Sequence, residues 1–393
     1  MVRALWLVLL AAIISLFPFT IYSTFLVPIA ATVRASEAEV GFLRGLGGLA
    51  ALVAGIALAP LLTRWPRQHV AAAALGLLAG TSLLATSGRF AALIAFCVGI
   101  GLATAVLTPT LLTLATSRFS DPGNMGRAAT TVTATQSLAA VLAGPVIGGL
   151  GVWRGWQGAL WITAAVSALI AAGFLRAGAG GSPASPSMPT GYADSWRRLR
   201  SRPDLLVLIA IAALRTTSFM GYLAFLAVFY HDRLAYSATT FALVWTLSGS
   251  AFFLGNYATG RWVRDPGSAM GRRPRTTLAV GLLGALVAVL GVFHAPALPA
   301  ALLGTALMGF SHAVVAAQLT TLLARLGGEL STIAFSVNAA GMSLGVFAGA
   351  LLGGLGLDLA GHTGLAIALG LPTALALALL RVLRGTDDAR DTA

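Results

Sequence analysis

Residues 4–33 carry no charged side chain, and uncharged stretches of similar length recur down the whole chain: 45–63, 68–88, 90–117, 128–153, 155–175, 205–231 with Arg215 as its only interruption, 234–260, 330–357 and 359–380. Residues 276–324 form one longer stretch, which His294, Pro296 and Pro299 divide in two. Nearly all of these twelve segments reach the ~20 apolar residues a helix needs to cross a ~30 Å hydrocarbon layer. Backbone inside lipid must satisfy its own hydrogen bonds, so such runs form helices; barrel strands are shorter and alternate. The composition agrees. Apolar residues make up 58% of the 393-residue chain and charged residues 9%, against roughly 25% charged in a soluble domain. There is too little polar surface for a cytosolic enzyme, a secreted disulfide scaffold or a disordered chain. The expected class is an all-α membrane protein with twelve transmembrane helices.

The formal charge is +13, and every one of the 25 basic residues is arginine. They sit in short gaps between apolar runs rather than in a stripe or tail, which excludes nucleic acid as a partner. With the N-terminus inside, nineteen arginines face inward and five (Arg34, Arg44, Arg89, Arg154 and Arg233) face outward, with Arg215 within a span. A bias this large places both termini in the cytoplasm of a cell with the chain in its inner or plasma membrane. The first run is too long for the apolar region of a signal peptide, so it reads as an uncleaved helix kinked near Pro18. The single Cys97 lies in an apolar run and reads as a small core residue. No metal or cofactor is expected.

The longest polar interruption, 177–204, is rich in Gly, Ser and Pro and then basic, as a flexible inner linker would be. It separates a first bundle of six helices (1–176) from a second (205–384), with a short tail at 385–393. The halves echo each other. Gly55 leads into Arg64 and Arg67 after the second run, and Gly255 leads into Arg261 and Arg264 after the eighth. Gly144, Pro145, Gly148 and Gly149 in the fifth run answer to Gly341, Gly345, Gly349, Gly353 and Gly354 in the eleventh. Small residues four apart let helix backbones approach closely.

All twelve acidic residues fall in loops, tails or helix ends, so no carboxylate sits at membrane depth. His312 is the one titratable group deep in the later spans, and imidazole titrates near neutral pH. It either carries a proton or packs as a polar helix residue. Arg215 lies ten residues past Leu205, roughly 15 Å into its helix. A guanidinium there costs at least ~2.5 kcal/mol and needs a wet cavity or a partner. Phe219 and Tyr222 follow on the same face at i+4 and i+7. That face suits an anionic or aromatic ligand; otherwise Arg215 snorkels or pairs with helix-end carbonyls. Arg44, near the outer end of helix two, is a weaker companion.

The stretch PIAATVRASEAEVGFLRGLGGLAALVAGIALAPLLTRWPRQHV resembles the first loop, second helix and inner signature loop of the major facilitator superfamily, with Arg64 and Arg67 matching and Thr63 and Pro66 standing where Asp and Gly are usual. GPVIGG at 144–149 resembles the Gly-Pro signature of the drug/proton antiporter branch. WRGWQGALWITAA at 153–165, GNYATGRW at 255–262 and NAAGMSLGVFAGALLGGLGLD at 338–358 resemble helices six, eight and eleven of drug-efflux and sugar-efflux members. The segment 95–106 lacks the arginine that proton-coupled exporters carry in helix four.

The resemblance implies two pseudo-symmetric six-helix halves and a secondary transporter rather than an enzyme, working as a monomer to export a small organic molecule with protons by alternating access. It also implies a cavity lined from helices one, four, seven and ten by Phe19, Tyr22, Thr104, Thr108, Arg215, Phe219, Tyr222, His312 and Gln318. Gating falls to Gly55, Arg64, Arg67, Gly144, Pro145, Gly148, Gly149 and Arg261. The alternatives are an organic-anion exchanger or facilitator built on Arg215, a transporter-like sensor, and a membrane-embedded hydrolase using Ser343 in a Gly-Met-Ser-Leu-Gly elbow.

Overall fold

The computed structural model describes residues 2–58, 65–176, 192–264 and 273–383. Those residues are helical nearly throughout and contain no strand. Span 1 is built in three pieces, Val2–Ile14, Phe17–Thr24 and Leu26–Val33. Its first break precedes Pro18, which then sits in the opening turn of the next piece, where its missing N–H costs nothing. Span 2 is Glu37–Ala57, span 3 Arg67–Ala85 and span 4 Phe90–Thr116. The next helix, Pro122–Arg176, leaves helical geometry only at Arg154 and Gly155. A straight helix of its 55 residues would run roughly 80 Å, far beyond one bilayer crossing, so it holds spans 5 (122–153) and 6 (156–176). After a short helix, Tyr192–Arg200, come span 7 (Pro203–Leu234), span 8 (Ala238–Arg264), span 9 (Pro274–Val292) and span 10 (Leu298–Gly327). The last helix, Ser331–Leu379, breaks at Ala360 and Gly361 into spans 11 and 12. Nine helical stretches among the described residues are long and apolar enough to cross a membrane, and the two breaks together with the tight turn Gly328–Leu330, which separates spans 10 and 11, resolve them into twelve spans.

Span 2 begins well before the uncharged run that announces it in the sequence. Ser36 accepts from the Glu39 backbone N–H at 3.1 Å, and the Glu39 carboxylate accepts from the Ser36 N–H at 2.7 Å. This reciprocal cap starts the helix at Glu37. Arg44 therefore lies two turns inside the helix and is buried.

The chain divides into two compact units: Met1–Pro186 with Tyr230–Thr246, and Ser187–Phe229 with Leu247–Ala393. In the first, spans 2 and 4 meet closely enough that a side chain at Gly101 would strike the Gly47 carbonyl. In the second, spans 8 and 10 meet the same way, with Gly309 against the Ser248 carbonyl. Gly345 and Gly349 of span 11 lie against the backbone of span 7 at Ala213 and Thr217. A cluster of Leu199, Leu205, Leu208, Leu322, Leu323, Leu380 and Leu383 closes one end of this unit.

Each half of the chain repeats the other in detail. Phe19, Tyr22, Phe25 and Leu26 in span 1 recur as Phe219, Tyr222, Phe225 and Leu226 in span 7. Both spans end on a left-handed residue, Arg34 (φ 56°) and Ala235 (φ 55°), followed by a serine that caps the next helix, Ser36 and Ser237. The break at Arg154 (φ −147°, ψ 28°) and Gly155 (φ 62°, ψ −152°) is matched by Ala360 (φ −148°, ψ 25°) and Gly361 (φ 57°, ψ −142°). The conformation of the two glycines is one that side-chain-bearing residues avoid.

Candidate functional site

Span 7 carries Arg215, Phe219 and Tyr222 on one face, and span 10 brings His312 against them inside the second unit. Arg215 is 4% exposed and His312 5%. The Arg215 Nη1 meets both ring nitrogens of His312, with Nδ1 at 3.1 Å. Guanidinium has donors and no acceptor, so the ring nitrogen that receives it bears no proton and the imidazole is neutral in this contact. Nη2 donates to Thr216 Oγ1 at 3.2 Å, and that hydroxyl donates to the Ala212 carbonyl at 2.7 Å. Nε is buried without a hydrogen-bond partner. Neither of the ion pairs among the described residues involves Arg215. It is a buried cation held by a neutral ring.

The Phe219 ring stacks on that imidazole, with centroids 3.5 Å apart and planes 16° from parallel. Phe219 also lies parallel to Tyr222 at 6.5 Å. The Tyr222 hydroxyl donates to Thr305 Oγ1 of span 10 at 3.0 Å, and its ring meets Phe293 edge-on at 5.7 Å. Phe252 of span 8 faces His312 from 5.9 Å. The result is a column of alternating charge, imidazole and aromatic surface, fixed at each end by hydrogen bonds. Gln318 is also buried, one and a half turns further along span 10, with its Oε1 unpartnered. Ser218 presents a second buried, unpartnered oxygen from span 7.

In the first unit, the Arg44 guanidinium lies over the Phe19 ring at 5.6 Å. Tyr22 donates its hydroxyl to the Val40 carbonyl at 2.7 Å and packs against Phe96 at 5.8 Å. Thr104 is half-buried and turns its hydroxyl back onto the Ile100 carbonyl of its own helix at 2.8 Å. Thr108 is exposed.

Of the residues expected to gate, Gly144 lies so close to Ala242 and Thr246 that a side chain would collide with both, and Gly148 abuts Thr239 and Ala242. Pro145 keeps helical geometry, and the backbone break in that helix falls at Arg154 and Gly155. A side chain at Gly55 or Gly149 would meet nothing. Arg67 opens span 3, Arg261 is exposed in the last turns of span 8, and Arg64 lies outside the described residues. The Ser343 elbow is uninterrupted helix, with no strand or tight turn to present a nucleophile.

Several members of these clusters escape sequence reading. Thr305, Phe252 and Phe293 are ordinary apolar-run residues whose partners are distant in the chain. Arg44 had a local signal, the Ser36–Glu39 capping pattern, which places it inside a helix.

Comparison with known proteins agrees with this architecture. Residues 8–332 match the Major Facilitator Superfamily. A chloramphenicol efflux pump of Mycobacterium tuberculosis, found in two strains, is 27% identical over 345 residues, covering 83% of this chain and 79% of the pump. A bacterial homologue of the human lysosomal transporter Spinster, in an inward-facing and unoccupied conformation, superposes with a TM-score of 0.74 at 17% identity, covering 97% of this chain and 95% of the other. The nucleoside transporter NupG gives 0.75 at 14% identity, covering 96% and 98%. This chain is a membrane transporter belonging to the Major Facilitator Superfamily.

Proposed function

We propose that the protein exports a small organic molecule by alternating access, coupled to protons at His312. The halves that move are 1–176 and 205–384, joined by the 177–204 linker, in a monomer of the cell membrane with both termini and the 385–393 tail in the cytoplasm. The observation that carries this reading is the Arg215–His312–Phe219 contact. A neutral His312 accepts from Arg215; a protonated one turns a donor toward a donor and a cation toward a cation. Protonation and the closed contact therefore exclude each other. Each protonation event would free Arg215, which changes the surface a substrate meets. The absence of a carboxylate at membrane depth leaves His312 as the group able to do this.

The relative's activity makes chloramphenicol the first substrate to try. Cells expressing the protein should accumulate less labelled chloramphenicol than cells without it, and a proton ionophore should restore accumulation. Export that survives the ionophore would remove the proton coupling.

A second reading rests on a separate observation. Among the described residues Arg215 has an unpartnered Nε and no ion pair, which favours an organic-anion facilitator. Such a protein would equilibrate an aromatic carboxylate across proteoliposomes without a pH gradient, and Arg215→Gln would abolish that flux.

A further inference from the structure

The short helix Tyr192–Arg200 is the least membrane-like of the described α-helices, and it is joined to span 7 by two residues. Its Leu199 is fully buried in the leucine cluster formed with the ends of spans 10 and 12. Arg202 fastens the junction: Nε and Nη2 reach Asp204 at 3.0 and 2.7 Å, and Nη2 also donates to the Leu326 carbonyl at 3.2 Å. The helix is thus held where span 7 starts and spans 10 and 12 finish, at the end of these spans that a headgroup layer would meet.

Charge on this rim is one-sided. Asp194 is paired with Arg197 at 3.3 Å, and Asp204 is taken by Arg202. Arg198, Arg200, Arg325 and Arg381 are exposed. No hydrogen bond or ion pair reaches their side chains among the described residues. Among the described residues Glu329 is the one acid of this rim left to offset them. Trp196, one turn before Leu199, remains 39% exposed, as an indole anchored at a membrane interface would be.

We propose that this rim binds the headgroups of anionic phospholipids. The lipid phosphates would lie against Arg198, Arg200, Arg325 and Arg381, with the Trp196 indole seated at the acyl boundary. Juxtamembrane arginines attract anionic lipid over about a Debye length, so the binding is electrostatic and salt-sensitive. The structural consequence is a clamp: lipid bound to the helix and to the ends of spans 10 and 12 holds three elements of the second unit together.

The test uses the purified full chain in nanodiscs of phosphatidylcholine alone or with phosphatidylglycerol. Phosphatidylglycerol should raise the unfolding temperature. Arg198→Gln with Arg200→Gln, both exposed positions outside the proposed cavity, should remove at least half of that shift, and high salt should remove most of it. Inorganic phosphate in phosphatidylcholine discs should not reproduce it. Equal unfolding temperatures in the two lipids, or an equal phosphatidylglycerol shift in the double variant, would overturn the proposal. So would a lipid effect that emerges only after residues 384–393 are removed, since the tail would then be the occupant. Chloramphenicol export is a separate measurement, so failure here leaves the transport reading standing.

Discussion

Arg215 and His312 solve one another's problem. A guanidinium at mid-span needs acceptors, and the described spans carry their carboxylates only near their ends. An imidazole supplies an acceptor without adding charge, and Phe219 covers its open face. The price of this arrangement is that it depends on the protonation state of one ring. In His312→Gln the side-chain carbonyl accepts from Arg215 at every pH, so proton-driven export should be lost and any residual flux should show a flattened pH profile, read as initial rates across imposed external pH. An unaltered profile would remove His312 from the coupling. The span 7 residues of this cluster were legible from sequence, because i, i+4 and i+7 define a helix face. Their meeting with His312 was not, because periodicity tells which residues share a face and says nothing of which distant face it meets. Arg44 was misplaced for a different reason: reading charge as a boundary fails when a capped helix begins with acids and keeps an arginine inside.

At the scale of elements, the spans are legible because apolar length is a direct consequence of lipid thickness. Their breaks are less so. Span 5 passes into span 6, and span 11 into span 12, through two residues whose dihedrals no apolar count reveals, although Gly155 and Gly361 are the residue type such dihedrals need. The glycine pattern also divides into contacts and gaps. A Cβ at Gly309 would stand 2.7 Å from the Ser248 carbonyl, too close to fit without moving span 8, whereas one at Gly149 would meet nothing. Gly309→Ala should therefore destabilise by about 1–3 kcal/mol, the usual cost of overpacking. Gly149→Ala should be neutral, or stabilising by the ~0.5–1 kcal/mol that separates alanine from glycine within a helix. Thermal unfolding of the two variants in one detergent decides the matter; similar losses in both would mean that glycine serves backbone flexibility at these positions rather than close approach.

At the scale of the molecule, duplication is the organising fact. The sequence shows it faintly, as glycines and arginines recurring six spans apart, because side chains facing lipid are free to vary among apolar types. The structure shows it sharply where geometry leaves no such freedom: the Phe-x-x-Tyr-x-x-Phe-Leu face of spans 1 and 7, the left-handed residue and serine cap that follow, and the paired glycine breaks. A parallel repeat of six spans constrains topology, because an even unit returns the chain to the side it left and gives both copies the same orientation. On the proposed topology the linker at 177–204 would share a side with both termini, and the arginine bias would make that side the cytoplasm. A reporter that is active only outside the cytoplasm should be silent when fused after Pro186 or Leu383. It should be active when fused after Ala35, in the turn between the left-handed Arg34 and the Ser36 cap. Activity from the linker fusion would require an odd number of crossings before it, and neither the duplicated breaks nor the pairing of spans 1 and 7 could then be read as a repeat.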